Sequence, residues 1–173
     1  ETRRISELKK GDTLENGARV VCVTEQRGTF PTIRMENKLL ITPWHPCLVA
    51  QQWVFPESDP SRERVVYRGT VYNLILDGEP TLTINGVTVC ALGHGITGEV
   101  IGHAFFGTHR VLDQLKTMFP DGYNKGRIDL SACTFQRDAQ GLVSGIHFRE
   151  PVNGQFGAGL ADFHPGQPAT APG

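Results

Sequence analysis

Apolar residues along this chain come in short runs, many of them β-branched, broken by glycine, proline and asparagine. That spacing predicts many short strands joined by turns rather than long helices. The run at 18–23 (Ala18-Arg19-Val20-Val21-Cys22-Val23) follows Asn16-Gly17 and reads as a strand leaving a tight turn. Residues 32–35 and 39–42 flank Glu36-Asn37 as a hairpin would. Residues 48–50, 53–55 and 65–67 are further short strands, with a polar surface loop over 57–64.

Two stretches are sharper. Val71-Tyr72-Asn73-Leu74-Ile75-Leu76 predicts a strand, Asp77-Gly78-Glu79-Pro80 a turn, and residues 81–84 a second strand. Asn85-Gly86 then closes a hairpin, because both residues tolerate positive φ, and residues 87–91 return. Further on, Thr108 is placed to cap a helix over about 109–119, where Val111, Leu112, Leu115, Met118 and Phe119 share one face. Pro120-Asp121-Gly122 is expected to end it. Short strands are expected near 127–130 and 142–148, and the Pro-, Gly- and Ala-rich residues 161–173 read as a flexible tail.

Composition changes this picture little. The chain has 173 residues, 20 of them glycine and 11 proline, with 39% hydrophobic and 20% charged residues. A formal net charge of −1 argues against a nucleic-acid partner. No apolar run approaches the roughly 18 residues needed to cross a bilayer, and Glu1-Thr2-Arg3-Arg4 does not open like a secretory signal. Cys22, Cys47, Cys90 and Cys133 form no CxxC pair, so no metal site and no thioredoxin-type motif is expected. Free thiols and a soluble, intracellular setting are the expectation.

Three blocks, in order, carry a resemblance. Ile5-Ser6-Glu7-Leu8-Lys9-Lys10-Gly11-Asp12 is similar to an I-x-x-L-x-x-G-D segment. Thr42-Pro43-Trp44-His45 matches T-x-x-H. Val71-Tyr72-Asn73-Leu74 through Asn85-Gly86-Val87-Thr88-Val89-Cys90-Ala91 is similar to a closing Y-D-L … N-G-x-x-V ribbon. Together they resemble the Hint superfamily of inteins and hedgehog proteins, and most closely its Vint group, found with von Willebrand factor A domains. Leu92-Gly93-His94-Gly95 and His103-Ala104-Phe105-Phe106-Gly107-Thr108 look like that group's extension. The resemblance implies a mainly β, horseshoe- or disc-like Hint domain over 1–95 that lacks its first strand. It implies a small α+β extension over 96–160.

The resemblance also implies an activity: autocatalytic, hedgehog-like cleavage through an N–S acyl shift to a thioester. The family's Cys or Ser nucleophile stands a short strand ahead of the segment that here begins at Glu1, and Thr2 alone ahead of Ile5 carries a hydroxyl. Cys90-Ala91 occupies the place of the intein His-Asn pair, so splicing is not expected. The substrate would be the chain's own N-terminal flank, with water, a thiol or another small nucleophile resolving the thioester and no cofactor.

The reaction needs a proton donor for the departing nitrogen and a hydrogen-bonding group at the oxyanion. His45 is the candidate for the first, since imidazole titrates near neutrality, and Thr42 for the second. Cys90 is a candidate to relay the acyl group or tune the site, and His94, between two glycines, to complete it. Cys47 shares a strand face with His45 but is expected to be a buried structural thiol. His103 and His109 read as surface or cap residues, and Asp12 as a turn cap. Two rival readings are a silent Hint-fold binding or structural module, and a cysteine hydrolase acting in trans with Cys47 or Cys90 paired to His45.

Overall fold

The computed structural model describes residues 3–149. Thr2, the tail expected at 161–173 and the last part of the extension lie outside the described residues. The chain is mainly β, as the pattern predicts, with ten strands and two helices among the described residues.

The strands are not all short. β1 (Arg19–Arg34) and β5 (Arg64–Asp77) pair antiparallel along nearly their whole length, and β2 (Leu40–Ile41) pairs with the far end of β1. The runs at 18–23 and 32–35 are thus two ends of one strand, and those at 65–67 and 71–76 two parts of another. Gly28 and Gly69 face each other at the middle of the ladder, where alternation fades. The neighbouring rings cover the gap: a Cβ on Gly28 would lie 3.1 Å from Phe30, and one on Gly69 2.7 Å from the Tyr67 hydroxyl. Aromatic cover of opposed glycines lets the ladder continue where side-chain packing is lost. A bulge falls between Val20 and Cys22.

A second sheet runs in the order β4 (Gln52–Val54), β3 (Cys47–Val49), β7 (Val87–Cys90), β6 (Thr81–Ile84). The β6–β7 turn has φ of 49° at Asn85 and 78° at Gly86, the positive values that this dipeptide accepts. The β3–β4 turn also places Ala50 and Gln51 at positive φ, 50° and 65°, without glycine or asparagine. Asn37 Nδ2 donates to the Asn85 carbonyl and Asn85 Nδ2 to that of Asn37, each at 3.0 Å. This reciprocal pair ties the β1–β2 turn to the β6–β7 turn.

Thr108 caps α1 (His109–Met118), its hydroxyl accepting from the Arg110 amide at 3.3 Å. α1 ends before Pro120, as expected, and Pro120 then opens a second helix, α2 (Pro120–Lys125), after a break at Phe119, consistent with proline's tolerance of the first helical turn. β8 (Arg127–Asp129) then pairs parallel with β1, and β9 (Cys133–Arg137) pairs with β10 (Val143–Phe148). β9 was not apparent in the sequence, because its Thr134-Phe135-Gln136-Arg137 run is short and mostly polar.

Two cores result. Val23, Ile33, Ile41, Leu74 and Val89 lie in one; Cys22, Ile75, Val111, Leu115, Ile128 and Ile146 lie in the other. Adjacent residues of β1 and of β5 therefore bury into opposite cores, which period-two alternation requires of a central strand pair. Asp12 caps its turn, accepting from the Lys9 amide at 3.0 Å.

Candidate functional site

Thr42-Pro43-Trp44-His45 forms a turn that leaves β2, closed by the His45 amide donating to the Thr42 carbonyl at 3.2 Å. Proline second in such a turn presets its φ. Two contacts fix the turn from outside. Trp44 meets Phe55 edge-on at 5.2 Å between centroids, and the Glu57 amide donates to the Pro43 carbonyl at 3.0 Å. β3 starts two residues after His45, and its register sets Cys47 against Val89. Carried one step outward, that register sets Pro46 opposite Cys90, with His45 next to it in the chain.

His45 Nε2 lies 3.0 Å from the Cys90 carbonyl oxygen. A carbonyl only accepts, so Nε2 carries the proton and Nδ1 is the ring atom left to take up and return one. The Cys90 thiol lies 4.0 Å from the same Nε2. Burial lowers the His45 pKa below its ordinary value, the Cys90 carbonyl bond opposing this and the charge of His94 adding to it. At neutral pH the ring is therefore neutral.

Cys90 is 7% exposed, and burial pushes its thiol up to about 12. The other thiols are raised by the same cause, Cys22 and Cys133 to about 11. All four cysteines are free and buried. Cys47 does not reach His45; its Sγ lies 3.7 Å from the Val54 carbonyl, within the core.

His94 reaches the same place by another route. The amides of Gly93 and Gly95 donate to the carbonyls of Phe106 and Gly107, at 2.7 and 2.8 Å, laying the two segments side by side. Gly93 has φ 65°, and a Cβ there would sit 2.9 Å from the Leu112 side chain, so glycine is required. His94 Nδ1 accepts from the Ile96 amide at 2.9 Å, and burial lowers its pKa.

His103, read from the sequence as a surface or cap residue, is half-buried and caps the turn that follows it. Its Nδ1 accepts from the amides of both Phe105 and Phe106, at 3.2 and 2.9 Å, and its ring tilts against Phe106 at 5.0 Å. Burial pushes it down to about 4, Asp138 opposing and the charges of His94, Arg110 and Arg137 adding to the drop. Gly107 lets these rings close up, since a Cβ there would meet His94 Cε1 at 3.1 Å. Gly102 and Gly107 around His103 were the available sequence signal for a tightly folded loop.

The residues divide between two adjoining cavities. A smaller pocket, about 20 Å³, is lined by His45, Cys90, His94, His103 and Asn73 among others. A larger groove, about 320 Å³, is lined by Thr42, His45, Ile41, Tyr67, Tyr72 and Asn73 among others. Thr42 and His45 thus share the groove, while His45, Cys90 and His94 share the pocket. Among the described residues no group of three or more His, Cys, Asp or Glu side chains is placed to hold a metal ion. Nor is any helix of those residues long and apolar enough to cross a membrane. A family model described as Vint, a Hint-domain, matches residues 1–145. No curated protein matches the sequence.

Proposed function

The chain belongs to the Vint Hint-domain family, of a superfamily known for autoprocessing, and we propose that it cleaves its own polypeptide ahead of Glu1 through a thioester. The observation that carries this reading is His45, held by the Cys90 carbonyl at 3.0 Å on the wall of a groove it shares with Thr42. A thiol carried by the segment ahead of Glu1 attacks the carbonyl carbon of the residue before it. The thiol proton passes to His45 Nδ1, a C–S bond forms, and the carbonyl oxygen gains negative charge near Thr42. Collapse breaks the C–N bond, and His45 returns the proton to the departing nitrogen. Water or another small nucleophile then attacks the thioester, releasing the flank and regenerating the thiol.

The reaction asks for the nucleophile to come from outside the described residues. In support of that, burial raises all four of this chain's thiols, so each is protonated at neutral pH. The same fact argues against a hydrolase acting in trans with Cys47 or Cys90. The test joins the natural preceding segment and a reporter to Glu1. Spontaneous release of the reporter, faster with hydroxylamine or a small thiol, is expected. A fusion that stays whole for days under these conditions replaces this reading with a silent binding module.

A further inference from the structure

The segment that leads to the groove is held from both sides. Ile5 lines the groove, and a short helical turn (Ile5–Glu7) fixes the chain around it. The Glu7 amide donates to the Arg4 carbonyl at 3.0 Å, and the Leu8 amide to that of Ile5 at 3.2 Å. Gly11 and Asp12 then join β1, the Gly11 amide donating to the Val20 carbonyl and the Val20 amide to that of Asp12, each at 2.9 Å. Between these two points, residues 8–10 are gripped by the corner where α2 passes into β8.

Lys10 Nζ donates to the Asn124 carbonyl at 2.7 Å, across 114 residues of chain. Arg127 Nη1 donates to the Leu8 carbonyl at 3.4 Å, while its Nη2 is held by Glu25 Oε2 at 3.1 Å. Gly126 lies against the Lys10 stem. It ends α2 in the left-handed region, at φ 89°, and a Cβ there would stand 2.3 Å from Lys10 Cβ. Glycine is thus what lets the two backbones approach. The corner itself is anchored, since the Gly126 carbonyl accepts from the Val23 amide at 2.9 Å and β8 pairs with β1. Lys10 and Arg127 are exposed, and exposed contacts of this kind contribute little to stability. What they fix is the place of the backbone at Leu8 and Lys10, one short turn away from Ile5.

We propose that Lys10 and Arg127 are positioning residues for self-cleavage, setting, through the Ile5–Glu7 turn, where the segment ahead of Ile5 enters the groove. This rests on the self-cleavage reading above. Neither side chain touches the reacting atoms. The thiol must close on a carbonyl carbon within reach of His45 and Thr42, and a misplacement of about 1 Å costs roughly 10²-fold in rate. The lever between tether and reaction is short. Arg3 shortens it further, its Nη1 lying 3.5 Å from Asp12 Oδ2.

The test uses the reporter fusion, with His45→Ala as a control and a thermal melt of every variant. A first double variant, Lys10→Met with Arg127→Met, removes both donors and keeps apolar stems. It is expected to slow cleavage about tenfold, the loss for a displacement of a fraction of an ångström, with melting nearly unchanged. A second, Lys10→Arg with Arg127→Lys, returns a donor to each place and should recover most of the rate. Another readout needs no turnover: in the chain beginning at Glu1, the Ile5 methyl resonances should shift in the first double variant and return in the second. If the parent cleaves and His45→Ala does not, while the folded first variant keeps the parent rate, the inference fails and the self-cleavage reading stands. It fails equally if the second variant is as slow as the first. A parent that stays whole overturns both.

Discussion

His45 Nε2 meets the backbone carbonyl of Cys90 at 3.0 Å, while the Cys90 sulfur stands 4.0 Å from the same atom. The contact that orients the imidazole therefore does not depend on the cysteine side chain. Any small residue at position 90 offers the same carbonyl from the end of the same strand.

Substitutions at these two positions should separate accordingly. His45→Ala in the reporter fusion is expected to slow cleavage by roughly 10²–10⁴-fold, the scale for a positioned proton donor. Cys90→Ala should cleave within a few-fold of the parent and lose about 1–2 kcal/mol of stability, because it deletes one buried group. A Cys90→Ala variant that stalls as a thioester, with unchanged melting, would instead assign the thiol to the chemistry.

Thiol reactivity offers a check that needs no fusion. With all four thiols buried, and three pushed up to about 11 or 12, a thiol reagent at pH 7 should react slowly with the native chain. Denaturation without reductant should release four equivalents. Two equivalents or fewer would mean disulfides.

Stability should depend on pH through the histidines. His45, His94 and His103 each have a folded pKa below the ordinary 6.5, with burial as the leading cause. Below pH 6.5 the unfolded chain takes up protons that the folded chain does not. Their contribution is thus full above 6.5 and is lost as pH falls toward about 4, the folded value of His103. The urea midpoint should drop between pH 7 and pH 4.5, and His103→Gln should show a shallower drop. A midpoint that rises across this interval would refute the burial argument.

The β3–β4 turn predicts a gain. Ala50 and Gln51 both hold positive φ, which costs L-residues with a Cβ and costs glycine little. Gln51→Gly, or Ala50→Asn with Gln51→Gly, should stabilise the chain by about 0.5–1 kcal/mol, read as a raised melting temperature. A lowered melting temperature would show that the wild-type side chains contribute more by packing than the turn loses by strain.

That turn also marks where sequence reading stopped. Asn85-Gly86 and Thr108 announce their geometry through their own chemistry, and Pro43 does so for the turn that carries His45. Ala50-Gln51 announces nothing, because the flanking strands impose its backbone. The middle of β1, Glu25-Gln26-Arg27-Gly28-Thr29, has no apolar alternation of its own and is extended because β5 pairs with it throughout. Thr42, His45, Cys90 and His94 were legible as motif positions. The place of His103 in the pocket was not, since the other residues that line it, His45 and Asn73 among them, lie far from it along the chain.

The parallel pairing of β8 with β1 sets a clock. Arg127 and Glu25, joined across it at 3.1 Å, are 102 residues apart in the chain. At a synthesis rate of about 5–20 residues per second, β1 waits roughly 5–20 s at the ribosome before its partner strand exists. Through that interval one edge of the longest strand stays open, and the second core has neither α1 nor β8 to fill it. A nascent chain is therefore exposed to mispairing for as long as its later third is unmade, and slowed translation past residue 30 would lengthen that exposure.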